Sequence, residues 1–261
     1  MTVRVDHPTA FVLSNVVARG VPTESERLAV SLDGRELAVR EFEEDPMTRL
    51  QLFEADPGLV TIDYAAIVLG RAAPVAVHPI DSIVYLRPSR YVQSDALTPF
   101  ARETFPQRVG VQRDAAHLVR EVANWVHERL DYQPEATSPT GGAVETLEAA
   151  AGVCRDFAHL TAALLRALDV PARLVSVYAP ALDPMDFHAV VEAVVDGRWV
   201  VVDSTRLAPR AAMVRIATGR DATDTAFLTN KLSDVQLLTL HVDATADAAF
   251  ADDQEELLVL S

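Results

Sequence analysis

Apolar and polar positions give the chain two textures. Over roughly the first ninety residues, short apolar runs rich in Val, Ile and Leu predominate: AFVLSNVVA (10–18), RLAVSLDGRELAVREF (27–42) and LVTIDYAAIVLG (59–70). Turn signals at Pro22, Asp33-Gly34 and Pro57-Gly58 break them, and Asp-Gly between apolar runs favours a hairpin. Closely spaced strands with such turns predict a small antiparallel β-sandwich. The stretch from Tyr85 to Pro106 is polar, carries three prolines, and reads as the linker into a second domain. A helical code follows. In AAHLVREVANWVHERL (115–130), Leu118, Val122, Trp125, Val126 and Leu130 recur every three or four residues, an apolar stripe that makes Trp125 core and leaves His117 and His127 at the surface. The loop DYQPEATS (131–138) precedes a short helix, VETLEAAAG, whose end at Gly152 suits a C-terminal cap. CRDFAHLTAALLRALDV (154–170) reads as a helix with Phe157, Leu160, Ala163, Leu164 and Ala167 along one side, stopped by Asp169 and Pro171.

After Pro171 the period becomes two. ARLVSVYA (172–179) is a strand, and FHAVVEAVVDGRWVVVDST (187–205) a hairpin about Asp196-Gly197. Another strand is expected near Val235 to Val242, and the tail ADDQEELLVL (251–260) reads as a last edge strand or a frayed end. The expected fold class is α+β: an N-terminal β-rich domain over residues 1–95 and a catalytic domain over 96–261.

Charge narrows the partners. A formal net charge of −15 repels phosphate backbones, so nucleic acid is not an expected partner. No apolar run approaches the length needed to span a bilayer, so no membrane partner is expected either. The chain has one cysteine, which cannot form an internal disulfide or a thiolate zinc cluster, and this fits a reducing, cytoplasmic setting.

That cysteine, Cys154, lies at the start of a helix, where free backbone N–H groups and the positive end of the helix dipole favour a thiolate and can donate to an oxyanion. A catalytic thiol also needs an imidazole and a group to orient it. If Asp196-Gly197 form a two-residue turn, Val195 pairs with Arg198, His188 lies opposite Thr205, and Asp203 lies opposite Val190. His188 and Asp203 then share a face as diagonal neighbours, roughly 7–8 Å apart at Cα and within reach of a hydrogen bond. Val190, Glu192, Val194, Trp199 and Val201 share that face, which is expected to pack on the Cys154 helix. His159, five residues after Cys154, is rotated about 140° from it and cannot face the thiol. A bland reading remains beside this one: a buried cysteine and a histidine at a loop edge.

GVCRDFAHL followed by FHAVVEAVVDGRWVVVDST resembles the transglutaminase-like superfamily, in particular a bacterial branch of transglutaminase-like enzymes and candidate cysteine proteases. YLRPSRYVQSD and RIATGRDATD are similar to segments of the same branch. The resemblance implies a papain-like core, with a thiol-bearing helix packed on an antiparallel sheet. It implies Cys154 as nucleophile, His188 as general base and acid, and Asp203 as the orienting carboxylate. It also implies an oxyanion donor upstream of the thiol, for which Tyr132 or Gln133 is placed. Arg155, Asp156 and His159 are expected to support the site from behind, and Arg220 and Asp221 to brace a loop beside it. Animal transglutaminases use calcium, but nothing here reads like a calcium-binding loop, so no cofactor and no metal are expected. The expected activity is thioester-forming acyl transfer on a peptide or protein substrate, with hydrolysis favoured over cross-linking. The alternatives are a protein-glutamine transglutaminase using an amine acceptor, a non-catalytic binding or scaffold protein, and a redox-sensing cysteine; the last lacks a resolving thiol.

Overall fold

The strand-forming runs at the start of the chain become β1 (Thr2–Val5), β2 (Thr9–Leu13), β3 (Thr23–Leu32), β4 (Arg35–Glu36), β5 (Arg40–Glu43), β6 (Arg49–Ala55) and β7 (Gly58–Val68). The structure is a computed structural model that describes residues 1–43, 47–106, 114–138, 140–231 and 234–260. Next come α1 (Asp81–Val84), α2 (Ser94–Thr104), α3 (Ala115–Arg129), β8 (Asp131–Tyr132), α4 (Ala143–Ala149), β9 (Ala151–Gly152) and α5 (Cys154–Ala167). The remaining elements are β10 (Ala172–Tyr178), β11 (His188–Val195), β12 (Arg198–Val202), β13 (Val214–Gly219), α6 (Ala222–Thr225), β14 (Leu228–Lys231) and β15 (Val235–Thr239).

Two sheets, ordered β15-β1-β7-β3-β4 and β14-β2-β6-β5, form the predicted sandwich. Alternate residues of both face inward: Val3, Val5, Val30, Leu32, Val60 and Ile62 from one, Phe11, Leu13, Phe53 and Ala55 from the other. Phe11 and Phe53 stack across a strand pair at 4.9 Å between ring centroids. Asp33-Gly34 makes the predicted tight turn between β3 and β4, both residues in the left-handed region.

The division into 1–95 and 96–261 does not describe this architecture. β14 pairs with β2 and β15 with β1, so the sandwich is completed by residues from beyond the second unit. Those strands cover edges of β1 and β2 that would otherwise offer unpaired N–H and C=O groups. Position 95 itself falls in the first turn of α2, a helix within the stretch read as linker. Leu97, Ala101 and Phe105 form its buried stripe, and Pro99 is tolerated near its start. The tail is neither a strand nor frayed: Leu257 and Leu260 pack into the second unit's cores, and Leu258 O accepts from Val201 N at 2.8 Å.

At the centre of the second unit is α5. It is buried from Asp156 to Ala167 on every side, as a helix must be when layers cover it all round. One layer is the antiparallel sheet β12-β11-β10-β13; α2, α3 and α4 supply the other. Trp125 of α3 packs edge-on against Phe100 and Phe105 of the α2 segment, as a core residue.

Candidate active site

The local sequence around Cys154 is dictated by one close approach. α4 ends at Ala150, which takes the left-handed conformation itself, so Gly152 is not the helix cap that its position suggests. Gly152 is instead required because Asp156 lies against it: a Cβ there would stand 2.6 Å from both Asp156 Cβ and Oδ2. Asp156 in turn accepts from Val153 N at 2.9 Å, capping α5 just ahead of Cys154. Arg155 donates to Thr137 Oγ1 (2.7 Å) and Ser138 O (2.9 Å), bracing the upstream loop.

That loop delivers Tyr132. β8 and β9 pair in parallel, with Tyr132 beside Gly152, and Gln133 N donates to Gly152 O at 2.9 Å. The Tyr132 hydroxyl lies beside Cys154, at the start of α5. Burial and the neighbouring Cys154 sulfur keep that hydroxyl protonated, its pKa pushed up to about 12. Of the two candidate oxyanion donors, Tyr132 is thus the one at the thiol; Gln133 enters through its backbone.

The hairpin has the predicted register. Val195 pairs with Arg198 and Val191 with Val202 about an Asp196-Gly197 turn, both residues at positive φ. His188 and Asp203 meet at its open end, with His188 Nε2 2.9 Å from Asp203 Oδ2 and both side chains almost completely buried. Thr205 holds the second carboxylate oxygen through its backbone N–H (2.9 Å) and its hydroxyl (2.7 Å). The other ring nitrogen, Nδ1, makes no bond of ordinary geometry among the described residues. Burial opposes a charge on this imidazole. The Asp203 carboxylate and the adjacent Cys154 thiol outweigh it and raise the His188 pKa to about 10. Against its own burial, the His188 imidazole and the Thr205 hydrogen bonds hold Asp203 below the usual carboxylate range.

The sheet face that meets α5 is the opposite of the one expected. Val191, Ala193, Val195, Val200 and Val202 join the α5 core, whereas Val190 and Val201 pack on the far side with Val175, Val177 and Met213. Glu192 on that far face is buried between Arg173 (2.8 Å) and Arg215 (2.9 Å). His188 lies near the thiol because it is the first residue of β11, at the sheet's end beside the start of α5. Sequence reasoning also missed His127, whose Nδ1 lies 3.0 Å from Ser204 O; Thr161 of α5 bonds Ser204 Oγ at 2.8 Å. The signal was present: His127 falls one residue after Val126 on the stripe, at the edge of the buried face.

His159 lies apart from the thiol chemistry. It is fully buried, stacks on Tyr91 at 5.3 Å, and accepts from Ala222 N at 3.1 Å. Burial drives its pKa down to about 3. Asp221 caps α6 through Thr223 N and accepts from Tyr91 N at 3.0 Å, while Arg166 donates to the carbonyls of Arg87 and Ala172. These groups join RPSRY and GRDAT to the back of α5, the bracing role expected of Asp221; Arg220 pairs at the surface with Asp224.

Residues 100–204 match the family model of the transglutaminase-like superfamily, and that span contains the thiol helix and the whole hairpin. A crystal structure of a candidate cysteine protease from Cytophaga hutchinsonii superposes with a TM-score of 0.83 at 32% identity, covering 98% of this chain and 93% of that one. The chain belongs to the transglutaminase-like superfamily. Uncharacterized protein ML0607 of Mycobacterium leprae (strain TN) is 30% identical over 128 residues, 46% of this chain and 46% of that protein, so the match spans a little under half of this relative. Among transglutaminase-like proteins the architecture seen here, sandwich included, is therefore shared along nearly its whole length with the Cytophaga structure. No helix among the described residues is long and apolar enough to cross a membrane.

Proposed function

We propose that this transglutaminase-like protein is a cysteine acyl-transfer enzyme that acts on peptide or carboxamide bonds through a thioester, with water as the usual acceptor. The observation that carries the reading is the buried His188–Asp203 pair at 2.9 Å with the Cys154 thiol beside the same imidazole at a helix N-terminus. The likeness to a candidate cysteine protease over the full chain supports hydrolysis over cross-linking.

In this mechanism His188 accepts the Cys154 proton, and Sγ adds to the substrate carbonyl carbon. The Cys154 backbone N–H and the Tyr132 hydroxyl beside it donate to the oxygen that becomes negative. The C–N bond breaks as His188 returns the proton to the leaving amine, leaving a thioester. Water, deprotonated by His188, adds to the thioester carbonyl, and the acid departs as the thiol is restored. Asp203 keeps Nε2 protonated and stabilises the imidazolium throughout.

The test uses a peptide-amide library and mass spectrometry, with wild type and Cys154→Ala, each with and without an added primary amine. Cleaved or deamidated products that require Cys154 support hydrolysis. Amine adducts in place of them establish transamidation instead, and products identical in both proteins overturn the proposal.

A further inference from the structure

We propose that the C-terminal segment 252–260 is a clasp that holds the Asp203 turn in place, with Asp252 a positioning residue that acts through Arg210. The inference deepens the reading of His188 and Asp203 as a catalytic pair and rests on it.

Asp203 lies just beyond Val202, the last residue of β12, so the sheet does not fix it. Its position depends on what holds the two ends of the turn from Val201 to Arg210. On the inner side, Ser204 is held by His127 and Thr161, and Arg206 bonds Asn124. On the outer side, the tail holds both ends. Val201 N donates to Leu258 O at 2.8 Å, and Arg210 Nη1 donates to Val201 O at 3.2 Å. Both backbone polar groups of Val201, two residues before Asp203, are thus held by Leu258 and Arg210.

Arg210 closes the turn because it returns from seven residues after Asp203 to the residue two before it. Its side chain is only 4% exposed, and its charge is met by Asp252, which it contacts from Nε (3.1 Å) and Nη2 (2.9 Å) while Asp252 Oδ2 also accepts from Arg210 N (3.1 Å). Arg210 Nη2 further donates to Asp253 O and Glu256 O. Leu257 and Leu260 anchor the segment in the two cores on either side of the sheet. Without Asp252 a buried guanidinium has no countercharge, and it leaves the Val201 carbonyl for water. The turn then relaxes, and Asp203 no longer meets His188 at hydrogen-bond distance.

Asp252→Ala tests this with two measurements on the full chain: titration of the His188 imidazole by NMR, and the rate of Cys154 alkylation by iodoacetamide. The expected result is a His188 midpoint lower by about one unit or more and alkylation near neutral pH slower by about tenfold. Asp252→Glu should recover part of both, and Glu256→Gln should leave both unchanged. If Asp252→Ala does not fold, Asp252→Asn removes the charge while keeping the shape. A folded variant of either kind, with the His188 midpoint and the alkylation rate of wild type, overturns the clasp. A midpoint that moves in a protein whose wild-type thiol reacts no faster than free cysteine keeps the clasp and overturns acyl transfer.

Discussion

Two histidines in this molecule are equally hidden from water and differ in everything else. His188 is 1% exposed and His159 is not exposed at all, yet the pKa of the first is raised to about 10 and that of the second lowered to about 3. Burial disfavours the charged form at both positions. The difference lies in the nearest carboxylate. Asp203 faces His188 with one oxygen and has the other fixed by Thr205, so its charge is aimed at the ring. Asp221 is near His159 but is engaged by Tyr91 N, Thr223 N and the Thr223 hydroxyl, and His159 accepts a backbone N–H where a cation would have to donate. One imidazole is kept able to hold a proton beside a thiol; the other is kept neutral to join three segments.

Breaking the contrast at Asp203 should have the largest effect. Asp203→Asn removes the charge that outweighs burial, so the His188 titration should fall from about 10 toward and below its ordinary 6.5, and Cys154-dependent turnover should drop by about 10³–10⁴-fold. NMR and steady-state kinetics read the two effects separately. At the other histidine, His159→Ala should cost about 2–4 kcal/mol of stability by denaturant unfolding, because it opens a cavity and orphans Ala222 N. Alkylation of Cys154 in the folded fraction should be unchanged. Gly152→Ala forces Asp156 away from the Val153 cap and should cost about 1–3 kcal/mol.

The two histidines also predict how stability follows pH. Unfolded, both titrate near 6.5. His159 resists protonation when folded, so its contribution is complete above about 6.5 and is lost as pH falls toward about 3. His188 binds its proton more tightly when folded, so its contribution is complete below about 6.5 and is lost as pH rises toward about 10. Stability from these two groups should peak near 6.5 and fall on each side by on the order of 1.4 kcal/mol per pH unit. Thermal melts across pH should show this; His159→Ala should flatten the acid side, and His188→Gln the alkaline side. The smallest effect is expected at Arg155, whose side chain is part-exposed: Arg155→Ala should shift stability by under about 1 kcal/mol.

What could be read in the sequence was what local chemistry decides. Asp196-Gly197 sets the hairpin register, and with it the meeting of His188 and Asp203, because a two-residue turn with both residues at positive φ admits one pairing. The position of Cys154 at a helix start is equally local. What could not be read depends on residues distant in sequence. Both faces of the hairpin are apolar, since α5 covers one and the Val175–Met213 core covers the other, so periodicity alone could not say which meets the helix. Gly152 was legible as a special position but not for its true reason, since a cap and a close approach to a side chain four residues on both ask for glycine. The destination of residues 228–231 and 235–239 was hidden because a strand's sequence carries no record of its partner.

That return has a consequence for how the chain is made. Synthesis produces β1 and β2 early, yet β15 and β14, which pair with them, emerge only after α5 and the β10–β13 sheet have been made. Throughout that interval β1 and β2 are themselves outer strands of the nascent sheets, each able to pair with another chain. β14 and β15 take over those outer positions only late, so the strands that face neighbours change as the chain is made.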